Sequence, residues 1–130
     1  MRLSPKTSLV AAVLTLAGCG SAPGNGPDMR PGENCMSCHD FSAAGTVFEA
    51  SGVGADGVTV EFLAAGTNTV RASVVTSGSG NFHTGASLGN IYDIKLVRGT
   101  ATPRLMSAPS SGACNSCHAS GGSQGHIQAP

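Results

Sequence analysis

The chain has 130 residues, with seven basic and seven acidic side chains, four His and five Cys. This balance leaves no basic surface of the kind nucleic acid requires. Trp is absent and the aromatic residues are Phe41, Phe48, Phe62, Phe82 and Tyr92, so the side chains alone build a thin core, and a domain this small gains from a metal, disulfide or cofactor.

Arg2 and Lys6 make the start of the chain positive, and Leu9 to Ala17 is an apolar run too short to span a bilayer. This pattern predicts an export signal over 1–18. The run ends in Leu16-Ala17-Gly18-Cys19, which resembles the lipobox of bacterial lipoproteins. The resemblance implies cleavage before Cys19, acylation of Cys19 and a membrane anchor of several acyl chains, since a single chain holds a protein only marginally. Gly20 and Ser21, with no Asp after the Cys, imply sorting to the outer membrane. A plain secretory signal with an incidental Cys19 is the alternative. Loss of Arg2 and Lys6 leaves five basic residues against seven acidic ones, which suits partners with a basic docking patch. Residues 20–34 are rich in Gly and Pro without periodicity, so 19–34 is expected to be a flexible tether.

Cys35-Met36-Ser37-Cys38-His39 comes next, and from about 44 to 107 the sequence reads as β. Val58, Val60 and Phe62 alternate with polar residues; Val70, Ala72 and Val74 form a second run, and Tyr92, Ile94 and Leu96 a third. Strands near Gly45 to Glu49 and Arg104 to Ser107 flank the set. Turn-forming breaks fall at 51–57, 65–68, 77–80 and 85–90. Side chains alternate along a strand, so with Phe82 inward His83 points out, toward anything docked on that sheet face. Short strands at this spacing predict a mainly β fold, a small antiparallel β-sandwich. Gly45 to Thr84, closing on Gly80-Asn81-Phe82, resembles carboxypeptidase-regulatory-like, transthyretin-type sandwiches.

Beyond the β region, Cys114-Asn115-Ser116-Cys117-His118 repeats the earlier pattern. Two C-x-x-C pairs, each followed by His, have the spacing of covalent c-type haem attachment. Two intervening residues let both sulfurs reach the vinyl groups of one porphyrin, and the next residue offers its imidazole to the iron. On these two segments and their Gly-rich flanks the chain resembles c-type cytochromes. The resemblance implies two covalently bound haem c groups, one on Cys35 and Cys38 and one on Cys114 and Cys117. His39 and His118 would be the proximal iron ligands, and 35–130 a dihaem domain with an attachment segment on each side of the sandwich.

Two His remain, one for each further axial position. His83 would reach from the sheet. His126 lies eight residues beyond His118, a span of roughly 26 Å when extended, and the intervening Gly residues permit a turn to the opposite porphyrin face. Either His is otherwise an ordinary surface residue. Met106 is the alternative sixth ligand, which would raise the potential, or else an apolar gap-filler; Met29 precedes the first motif, and Met36 is expected to pack on the haem edge.

A zinc site of four thiolates explains the pairs but not the His after each. A disulfide framework suits an exported protein but has no use for the repeated His. A thioredoxin-type pair wants a βαβ context, which is not visible. The typical single-haem cytochrome c is helical, whereas no helix of useful length is legible here. The expected role is an electron relay, not an enzyme, between redox donor and acceptor proteins of the cell envelope, since iron with two protein ligands has no open position. A small dihaem peroxidase or reductase, and a haem-containing sensor or partner-binding lipoprotein, are the alternatives.

Overall fold

Apolar alternation sorts the middle of the chain into strands, and a computed structural model describes residues 30–130. The export signal, Cys19, Met29 and most of the tether lie outside the described residues. The strands are β1 (Ala43–Phe48), β2 (Thr59–Ala64), β3 (Val70–Val75), β4 (Asn81–Thr84), β5 (Tyr92–Val97), β6 (Arg104–Met106) and β7 (Ile127–Gln128). One sheet has the order β4-β1-β7 and the other β3-β2-β5-β6. The protein is thus mainly β, as the alternation predicts, and pairing is antiparallel except between β1 and β7.

In β2 and β5 the inward residues are those the period picks out, whereas in β3 Ala72 and Val74 are only half-buried and Val70 is exposed. In the four-stranded sheet Val60 lies opposite Leu96 and Phe62 opposite Ile94, and all four are buried. They meet Ala43, Val47 and Phe82 of the other sheet in one core. Phe62 bridges the layers, 6.4 Å from Phe82 and 6.0 Å from Tyr92 between ring centroids.

Strand β1 departs from the half-buried pattern, for all six of its residues are buried. Strand geometry sends Ala43, Gly45 and Val47 to one side and Ala44, Thr46 and Phe48 to the other. The first set faces the sandwich interior. The second set is covered by segments that the β pattern does not include, the two Cys-containing turns and the chain leading into β7. Residues 30–34, read above as the end of the tether, are fastened here: the Gly32 N–H donates to Thr46 Oγ1 at 2.9 Å. Among the described residues no helix is long and apolar enough to cross a membrane.

Candidate cofactor-attachment site

Both C-x-x-C-H segments fold the same way. Cys35–Ser37 and Cys114–Ser116 are single turns of 3-10 helix. In the first, the N–H groups of Cys38 and His39 both donate to the Cys35 carbonyl, at 3.2 and 3.0 Å; in the second, Cys117 and His118 donate to the Cys114 carbonyl at 3.3 and 3.0 Å. Each leading thiol donates to the carbonyl two residues before it, Cys35 to Glu33 and Cys114 to Gly112. A turn this tight brings the two Cys of a pair, three residues apart, to one side of the chain. The first turn is capped by Asn34, whose Oδ1 accepts from the Met36 N–H at 3.1 Å.

Both turns rest on β1. The residues before the second turn run parallel to it, with Ala113 bridged to Ala44 and the Ala44 N–H donating to the Gly112 carbonyl at 2.9 Å. Two glycines make this approach feasible. A Cβ on Gly112 would lie 1.9 Å from the Ser42 carbonyl oxygen, and one on Gly45 would lie 2.8 Å from the Cys114 Cβ.

A buried polar network then joins the turns to each other. Asn115, between the second pair of cysteines, is 3% exposed. Its Oδ1 accepts from the Thr46 N–H at 3.0 Å, and its Nδ2 donates to Thr46 Oγ1 at 2.9 Å and to the Glu33 carbonyl at 2.8 Å. The Thr46 hydroxyl is in turn 2.7 Å from Asn81 Oδ1. With Gly32 as its second donor, that hydroxyl uses its full capacity of one donated and two accepted bonds. Neither Thr46 nor Asn115 stands out in the sequence; only the fold reveals that they hold the two Cys-containing turns together.

The second turn opens on a cavity of about 380 Å³, within the range of small-molecule and cofactor sites. Cys114, Cys117 and His118 line it, and so do His126 and Met106, both candidates for a further iron ligand. Phe82, Ile94, Leu96 and Ile127 supply apolar wall, and Arg104 contributes a cation. His118 is oriented by its Nδ1, 3.0 Å from the Gly125 carbonyl. A carbonyl only accepts, so Nδ1 carries the proton and Nε2 keeps its lone pair. That Nε2 is buried without a hydrogen-bond partner, an arrangement that costs free energy unless something binds the nitrogen. An oriented imidazole with a vacant, buried nitrogen, beside two cysteines on one cavity, fits a covalently held haem. His126 stacks on Phe48 with centroids 4.0 Å apart.

No family model matches this chain, and no curated protein or solved structure matches it.

The first turn is far more open. Cys35 is half-buried, while Cys38 and His39 are exposed. His83 projects from the outer face of β4, opposite Ala44, as the alternation with buried Phe82 requires. Phe41 lies between the two imidazoles, 5.0 Å from His39 and 4.4 Å from His83 by ring centroids, with all three rings nearly parallel. The fold therefore brings His39 and His83 to one place, with a phenyl ring filling the slot between them.

Burial raises the Cys35 thiol above its usual range, with the Glu33 carboxylate adding to the effect. Cys114 is pushed up to about 11, mainly by burial. Cys35, Cys114 and Cys117 carry free thiols. Among the described residues no group of three or more His, Cys, Asp or Glu converges to hold a bare metal ion, so the four-thiolate zinc site is not assembled.

Proposed function

We propose that this chain is a dihaem c-type electron carrier, attached to porphyrin through Cys35 and Cys38 and through Cys114 and Cys117. The observation that carries the reading is the second site, where both cysteines and the buried, unpartnered Nε2 of His118 share one apolar-walled cavity. His118 would bind the iron through that nitrogen, and the Gly125 carbonyl keeps its ring in the required tautomer. His126 or Met106 would approach from elsewhere on the cavity lining. His39 would serve the first site, with His83 as its companion once Phe41 moves aside. When bound, haem supplies one-electron chemistry; the protein sets ligation, dielectric and approach. The lipobox at Cys19 would tether the carrier to an envelope membrane, most simply the outer one, among redox donors and acceptors.

The test is an intact mass and a reduced-minus-oxidised spectrum of protein exported by a host with a cytochrome c maturation system. Two covalent haem increments and a c-type spectrum are expected. A colourless product, or one carrying zinc, would refute the proposal. Carbon monoxide binding separates a relay from a peroxidase or reductase, because six-coordinate iron resists it and an open position accepts it.

A further inference from the structure

The two attachment turns share a backbone fold but not an environment, and we infer that they have different redox roles. This inference rests on the dihaem reading above. The turn at Cys114–Cys117 is the higher-potential site, where an electron resides; the turn at Cys35–Cys38 is the lower-potential, solvent-facing port, where electrons enter and leave.

Burial supplies the first argument. Cys114 is 7% exposed and belongs to the hydrophobic core, and its cavity is walled by Phe82, Ile94 and Leu96. The ferric centre carries one more positive charge than the ferrous one, so a poorly solvated site disfavours the oxidised state. At the first turn Cys38 and His39 are exposed, as is His83, and water stabilises the extra charge there.

Fixed charge supplies the second argument, and it acts in the same direction. Arg104 lines the cavity of the second site, where its Nε donates to the Ala129 carbonyl at 3.1 Å. A cation there favours the reduced iron. Asp40 directly follows His39 and is exposed, and its carboxylate favours the oxidised iron at the first site. The nearby Glu33 is paired with Arg30 at 3.3 Å, which leaves Asp40 as the charge that decides the sign.

The experiment is a spectroelectrochemical titration of the dihaem protein, with the haems assigned through the single-site variants Cys35→Ser/Cys38→Ser and Cys114→Ser/Cys117→Ser. In the half-reduced protein the electron is expected on the second site by at least about tenfold, equivalent to about 59 mV for one electron. Two variants outside the ligand set test the cause. Arg104→Gln lowers the second potential alone, and Asp40→Asn raises the first alone, each narrowing the preference roughly twofold, the scale of a solvent-screened charge. Equal or reversed potentials, or charge variants that leave both potentials unmoved, overturn the assignment of roles. A colourless protein overturns both this assignment and the reading beneath it.

Discussion

Replacing Asn115 by Ala removes the side chain that ties the second Cys-containing turn directly to the segment leading into the first. Three hydrogen bonds disappear, those to the Thr46 N–H, the Thr46 hydroxyl and the Glu33 carbonyl. Each contributes about 1 kcal/mol net, and the buried Thr46 N–H, left without a partner, adds a desolvation cost of about 1–3 kcal/mol. Asn115→Ala is therefore expected to cost about 4–6 kcal/mol, a large share of the roughly 5–15 kcal/mol that holds a small domain together. Urea unfolding of the haem-free protein, followed by far-ultraviolet circular dichroism, measures this as a fall in midpoint at unchanged slope. Asn34→Ala is the control. Asn34 is exposed and makes one comparable bond, to the Met36 N–H of the first turn, so its removal is expected to cost under about 1 kcal/mol. If the two variants lose the same small amount, the network is not what fastens the turns.

Gly45→Ala places a methyl 2.8 Å from the Cys114 Cβ and from the Phe82 ring, so the second turn must lift from β1 at a cost of about 1–3 kcal/mol; a thermal melt of the haem-free protein unaltered by this change would refute the packing described. The raised Cys114 thiol makes the haem-free protein less stable in alkali. Its unfolded value is 9.0 and its folded value about 11, so its contribution is complete below pH 9 and lost as pH rises to about 11, amounting to about 2–3 kcal/mol. Denaturation midpoints measured across that window are expected to fall, and Cys114→Ala should flatten that part of the profile. At pH 8 the same shift leaves roughly a hundredfold less thiolate on Cys114 than on an ordinary thiol, so iodoacetamide should label it far faster in urea than in the folded protein.

Much of the β architecture was legible because alternation marks a half-buried strand. The expected runs 70–75 and 92–97 coincide with β3 and β5, and Phe82 and His83 point to opposite sides as their order implies. The pattern marks β1 two residues late, at Gly45 to Glu49, because Ala43 and Ala44 are small and the strand is covered on both faces, so no alternation marks its start. No sequence pattern marks strand β7. Its two residues, Ile127 and Gln128, are too few to carry a period, and its partner is set by tertiary packing. At the candidate site, the two C-x-x-C-H segments stand out by their spacing, and both fold as a 3-10 turn. The parts that depend on packing do not stand out: Asn115 is an unremarkable residue inside a motif, Thr46 an ordinary strand Thr, and the Phe41 ring between His39 and His83 a product of how β4 lies beside β1.

The hydrogen bond from Asn115 to Glu33 joins residues 82 apart in the chain. A link of such separation forms late in folding, because the intervening loop must first be closed. Until then the two C-x-x-C-H segments are pliable stretches of chain, independent of each other. Under the dihaem proposal, thioethers would be made on the unfolded chain, and the finished sandwich would then fix their relative placement.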